Sequence, residues 1–178
     1  MTQIKPAMPR PLQALFVLAL GYAGATPAQE MPQPRLPTVE LKAGMHKIVA
    51  EVAKTPQQRS TGMMMRSKMA PHEAMLFVFE AASEQCFWMR NTLLPLSIAF
   101  IADDGALINL ADMRPRDDGS HCSAKPVRFA LEMNQGWFAS RSIKPGFRFS
   151  GGPFTVAVSA PASMPAAAPV TAPVPTVK

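Results

Sequence analysis

The tripeptide Asp103-Asp104-Gly105 separates two apolar runs of similar length, Ser97 to Ala102 and Ala106 to Ala111. An Asp-Gly pair between such runs is a strong short-range signal for a β-hairpin, because glycine takes the positive φ that a tight reversal demands. The centre of the chain is thereby committed to antiparallel sheet. Alternation elsewhere agrees. His46 to Val52 sets Ile48, Ala50 and Val52 on one face against Lys47 and Glu51, and Val127 to Met133 alternates in the same way, the period of a half-buried strand. Met75 to Phe79 is a compact apolar run of strand length, and Phe147 to Ser150 and Thr155 to Ser159 read as closing strands. Helical signals are few. Thr55 as N-cap before Pro56 predicts a short helix over Gln57 to Met65, and Asn134 is placed to cap a brief turn over Gly136 to Arg141. The expected fold is mainly β: a compact β-sandwich or partly open β-barrel with one or two short helices.

Both ends differ in composition from this centre. Lys5 and Arg10 lead an apolar run from Leu12 through Leu20, followed by small residues at Ala23, Ala25 and Ala28, the three-part layout of an export signal. Residues 1–25 are therefore expected to be a signal peptide, cleaved at Ala25 or Ala28. An uncleaved anchor is the alternative, although the run falls short of the roughly 20 apolar residues a spanning helix needs. Residues 26–37, with Pro27, Pro32, Pro34 and Pro37, read as an extended linker, and residues 161–178, almost wholly Pro, Ala, Val and Thr, as a disordered tail. One domain remains, residues 38–160. The expectation is a periplasmic or secreted monomer with no membrane span after signal removal.

Losing Lys5 and Arg10 lowers the formal charge from +6 to +4, and the remaining bases are scattered, without the stripe that nucleic-acid binders show. No nucleic-acid partner is expected. Two cysteines, Cys86 and Cys122, lie 36 residues apart. In an oxidising compartment an even count favours a disulfide, worth roughly 3 to 4 kcal/mol in the chain-entropy account of loop closure. A free buried Cys86, or a metal site pairing Cys122 with His121, are the competing readings.

Phe87-Trp88-Met89-Arg90-Asn91-Thr92-Leu93-Leu94-Pro95-Leu96 brings two aromatics, a cation, an amide and a hydroxyl together beside a strand. It reads as one wall of a binding cleft. With Arg59, Gly62, Met65 and Arg66 before the Met75 to Phe79 strand, and Pro126, Arg128 to Glu132, Asn134, Gly136 and Gly146 after it, the chain resembles the domain-of-unknown-function 192 family of small exported domains. The resemblance runs from about Ile48 to Phe149 and implies a compact β-rich fold with frequent export. It carries no catalytic residues. The family usually has an aspartate after Pro-Leu where this chain has Ser97, so any role of that carboxylate is in doubt here.

Arg66, Trp88, Arg90, Asn91, Thr92 and Glu132 are the candidate ligand-binding residues. Arg with Asn and Thr suits an anionic or carbohydrate-like ligand stacked on Trp88. Structurally, Arg66 could pair with Glu132 while Asn91 and Thr92 satisfy turn backbone. The methionines Met63, Met64, Met65, Met69 and Met75 around His72 raise Cu(I) binding, against their ordinary use as core fillers. A hydrolase would draw on Glu132 or a free Cys86, but no triad, phosphate loop or paired metal-ligand spacing is present. The reading is an exported accessory domain that binds a small molecule or a cell-envelope protein, without a metal or cofactor; the hydrolase is the alternative and a Met-rich copper binder the third.

Overall fold

The computed structural model describes residues 31–154. The expected signal peptide, the first part of the expected linker, the strand expected over Thr155 to Ser159 and the Pro/Ala tail lie outside them. The chain forms β1 (Thr38–Ala43), β2 (His46–Ala53), α1 (Pro56–Thr61), β3 (Glu73–Ser83), β4 (Cys86–Phe87), β5 (Leu96–Ile101), β6 (Leu107–Met113), β7 (His121–Cys122), β8 (Val127–Asn134), a 3-10 turn (Ala139–Arg141) and β9 (Ser150–Gly151). Seven strands make one sheet in the order β6-β5-β8-β3-β2-β1-β9, and β4 pairs with β7 in a small second sheet. The fold is mainly β, as the alternation requires.

All pairings in the large sheet are antiparallel except β2 with β3. A parallel pair needs a crossover, and the segment carrying α1 supplies it. The sheet curls into a partly open barrel. At one end the stretch before β9 bridges its two edges: the Leu107 N–H donates to Phe147 O at 2.8 Å and the Phe149 N–H to Gly105 O at 2.9 Å, while Gly151 pairs with Leu41 of β1. Gly105 sits at φ +81, and a Cβ there would lie 2.3 Å from the Phe149 carbonyl oxygen. Glycine is thus required both for the hairpin reversal and for this closure.

Alternation along the strands loads both faces of the sheet. Ala99 and Ile101 of β5, with Phe129, Leu131 and Met133 of β8, join Leu41, Ile48, Leu76, Phe138 and Phe149 in one buried cluster. Leu96, Ile98 and Phe100, with Ala130, join Met75, Phe77, Met63 and Met89 in a second. The second cluster lies beneath α1 and the Phe87 to Leu96 segment, and the candidate site is built on that face.

Several local expectations change. The helix ends at Thr61 instead of Met65, because Gly62 leaves helical conformation at φ +47 and Met65 sits at φ +59. Asn134 does not cap a helix: its side-chain amide donates to Met69 O and Ala70 O, both at 3.2 Å. Residues 31–37 have no regular structure, and they lie against the domain where Gln33 donates to Gly62 O at 2.8 Å and Arg35 reaches Glu51 at 2.6 Å.

Candidate functional site

One cross-strand row organises the second face. Glu51 of β2 is registered with Met75 of β3, Met75 with Glu132 of β8, and Glu132 with Ile98 of β5. Both acids are buried, each at 4% exposure, and their surroundings are opposite. Glu51 meets a fork of cations. Arg66, itself 7% exposed, donates to both of its oxygens, at 2.5 and 2.8 Å, Arg35 adds a third contact, and the Leu36 N–H donates at 2.8 Å. Burial works to raise the Glu51 carboxyl, but these hydrogen bonds and the Arg66 charge outweigh it and hold it at about 2.

Glu132 has no such partner. Its Oε2 is buried without a hydrogen bond, and burial alone pushes its carboxyl up to about 8. At neutral pH it is therefore mostly the protonated acid, a hydrogen-bond donor. The Arg66–Glu132 pair expected from the sequence is not formed, because the parallel β2–β3 register brings Glu51 to Arg66 instead.

Glu132 lines a pocket of about 250 Å³ together with Arg59, Phe77, Phe79, Phe87, Trp88 and Thr92. Three structures hold its walls. The first is α1, whose capping box has the Thr55 side chain accepting from the Gln58 N–H while the Gln58 side chain accepts from the Thr55 N–H. The helix presents Arg59, whose guanidinium stacks over Phe79 at 5.0 Å and donates to Val78 O at 3.0 Å and to Lys54 O. The second is the turn at Gly62, where a Cβ would come within 3.3 Å of the Phe77 ring, so the backbone can close over that ring only as glycine.

The third is the small β4–β7 sheet. Cys86 and Cys122 stand directly opposite one another and are bonded, S–S 2.09 Å. The disulfide anchors Phe87, which meets Phe77 edge-on at 4.9 Å. It also withdraws both sulfurs from other chemistry. A free Cys86 nucleophile and a Cys122–His121 metal pair are thereby excluded, and the one grouping of potential metal ligands among the described residues, Glu84 with the two cysteines, contains the same bonded sulfurs.

Beyond Phe87 the chain passes Trp88, 43% exposed at the pocket mouth, then Met89, buried at 1%. The Met89 N–H donates to Asp117 O, the Thr92 N–H to Met89 O, and the Arg116 N–H to Thr92 O, which fixes the segment as a tight turn. Arg90 points outward, stacked over Trp88 at 5.2 Å and paired with Asp118 at 2.7 Å. Asn91 accepts the Met65 N–H at its carbonyl, 2.9 Å, tying this turn to the loop after α1.

Of the candidate residues, the structure brings Trp88, Thr92 and Glu132 to one pocket, with Arg90 against Trp88 and Asn91 in the supporting turn. Arg66 stands apart with Glu51. Sequence reasoning does not single out Arg59, Phe77 and Phe79 as site residues, whereas Phe87 stands in the segment read as a cleft wall. Arg59 and the apolar strand stood in the family pattern, yet nothing local tells which way a strand's alternate face opens. Met63 and Met75 are buried in the second cluster, in agreement with core packing. Ser97, at the family's aspartate position, donates to Asp112 at 2.5 Å and accepts the Gly136 N–H at 2.9 Å. Ser97 and Asp112 are register partners, so a carboxylate is present there on the neighbouring strand. Among the described residues no helix is long and apolar enough to cross a membrane.

No curated protein matches the chain significantly. Similar solved structures include the following two. One, from Sinorhizobium meliloti 1021 and described as a candidate transcription regulator, is 32% identical, with a TM-score of 0.64 over 68% of this chain and 98% of that one. The other, a protein of unknown function from Novosphingobium aromaticivorans DSM 12444, is 30% identical, with a TM-score of 0.60 over 70% of this chain and 89% of that one. The profile of DUF192, described as Uncharacterized ACR, matches residues 38–151, the span of the barrel from β1 through β9. The chain belongs to the DUF192 family.

Proposed function

We propose that the protein is an exported accessory domain that binds a small organic molecule in the pocket floored by Glu132. The observation that carries this reading is the buried, unpartnered Glu132 carboxyl at the base of an aromatic-walled pocket. A desolvated polar group with no hydrogen bond costs about 1–3 kcal/mol, and a ligand supplying the missing partner recovers that cost on binding. Few convergent polar groups within aromatic walls is the usual design of small-molecule sites. At about 250 Å³ the pocket suits a compact ligand. The Cys86–Cys122 disulfide supports an oxidising compartment and thereby the export reading.

The hydrolase alternative narrows to Glu132, whose raised pKa is the property of a general acid; the Cys86 route is closed by the disulfide. The test is native mass spectrometry of the full chain expressed with its leader and recovered from the periplasm. The expected result is a mass lacking the leader plus a small adduct that Trp88→Ala abolishes. A protein that keeps Met1, or one that carries no adduct and binds no fragment of a small-molecule library, would overturn the corresponding half of the reading.

A further inference from the structure

We propose that this pocket takes a small organic anion with a flat apolar body, the buried Glu132 carboxyl donating a hydrogen bond to the ligand's charged group and Arg59 drawing it in. The inference rests on the pocket reading above and names the chemistry of its ligand. Two observations decide the sign of the charge.

The first concerns the aromatic faces. Carboxylates and rings together can make a cation cage, but here one face of Phe79 and one face of Trp88 are already taken by the guanidiniums of Arg59 and Arg90. An incoming cation would meet two cations. An anion meets an attractive mouth and rim instead. Arg59 spends Nη1 on two backbone carbonyls, and a guanidinium carries five donors, so other N–H groups remain for a ligand.

The second concerns what surrounds Glu132. From β3 it faces Met75 and from β5 Ile98, neither charged. Arg59 on α1 lines the same pocket, Arg90 at the mouth is paired with Asp118, and His121 of β7 lies behind Phe87 as its register partner. Across Met75, Arg66 is paired with both oxygens of Glu51. Buried and with no hydrogen bond to its Oε2 among the described residues, Glu132 keeps its proton to about pH 8. An O–H donor to an anionic oxygen is among the stronger hydrogen bonds available to a protein, and an ionised Glu132 would repel the same ligand. Binding therefore requires the proton.

The experiment titrates the full chain with three matched probes, benzoate, benzyl alcohol and benzylamine, by calorimetry and Trp88 fluorescence, in wild type, Glu132→Gln and Arg59→Gln. Benzoate is expected to bind at least about tenfold more tightly than benzyl alcohol, and benzylamine not to bind. Its affinity should be about tenfold weaker at pH 9 than at pH 7, as linkage to one proton titrating near pH 8 requires. Glu132→Gln, which keeps an N–H donor and the side chain's shape, should bind benzoate with a flat pH profile over that range, and Arg59→Gln should weaken benzoate by a larger factor than it weakens benzyl alcohol. Preference for benzylamine or benzyl alcohol, or a flat wild-type profile, would overturn the inference and leave the pocket reading standing. Failure of all three probes would also overturn the inference, while the pocket reading falls only if the native-mass and library tests fail as well.

Discussion

Glu51 and Glu132 flank Met75 in a single cross-strand row, roughly 10 Å apart by the spacing of strands, yet one carboxyl is held at about 2 and the other at about 8. The difference comes from the partners each strand position can reach. Arg35 from the stretch before β1 and Arg66 from the segment between α1 and β3 converge on Glu51, whereas Glu132 lies two strands away, beyond Met75, against Ile98 and the pocket.

The buried acid makes stability fall with rising pH. Glu132 has a folded pKa above its ordinary 4.5, so the stability of its protonated form is fully present below about pH 4.5 and is lost as pH rises through about 8. Glu132→Gln removes that dependence. It is expected to leave stability nearly unchanged at pH 4.5 and to raise it at pH 8.5 by an amount on the order of a few kcal/mol, as checked by urea denaturation at both values. A constant difference at the two pH values would show that Glu132 is hydrated or paired in solution.

Glu51 behaves in the opposite sense. Its folded pKa is depressed, so its stabilisation is present above about pH 4.5 and is lost as pH falls through about 2. Glu51→Ala strands the buried Arg66 guanidinium, and breaking a buried pair in this way costs about 3–5 kcal/mol. Thermal melts at pH 7 should place this variant far below wild type, and its stability should no longer fall in acid over that window.

The two tryptophans should part company. Trp137 is 6% exposed and Trp88 is 43% exposed. Truncating a buried Trp costs about 3–5 kcal/mol, so Trp137→Ala should approach that loss while Trp88→Ala and Asn91→Ala lower the melting temperature only modestly. Trp88→Ala and Trp88→Phe are expected to lose the copurifying ligand. Equal destabilisation in the two alanine variants would make the Trp88 turn a structural corner.

Thiol labelling of the unfolded, unreduced protein should find neither Cys86 nor Cys122 free. The double variant Cys86→Ala, Cys122→Ala should lose roughly 3 to 4 kcal/mol by loop-closure entropy, read as a lower midpoint in urea, and should loosen Phe87 at the pocket wall. Two labelled thiols would overturn the bridge.

Gly105→Ala tests the closure of the barrel. Its Cβ would collide with the Phe149 carbonyl at a position of φ +81, and only backbone movement can relieve that. Severe loss of folded yield is expected, against a smaller loss for Gly136→Ala, which carries the strain of a similar φ but has open space around it.

The sequence by itself determined the elements whose signals are local. The hairpin over Gly105, the alternation of β2 and β8 and the Thr55 cap need only neighbours along the chain, while the pairing of the two cysteines, 36 residues apart, follows from their even number in an oxidising compartment. The family was readable as well, because its pattern is carried by residue types at fixed spacing. β1 went unread as a strand, since its short alternation of Val39, Leu41 and Ala43 follows directly on the Pro-rich stretch. Only the tertiary structure decided which acid meets which cation. That choice depends on strand order and on the parallel register of β2 with β3, quantities set by contacts between residues far apart in sequence. It sends Arg66 to Glu51, leaves the buried Glu132 Oε2 without a hydrogen-bond partner among the described residues, and places Arg59 and Phe79 in the same pocket. A pocket is made by the faces of several strands at once, and no single stretch of chain records where they meet.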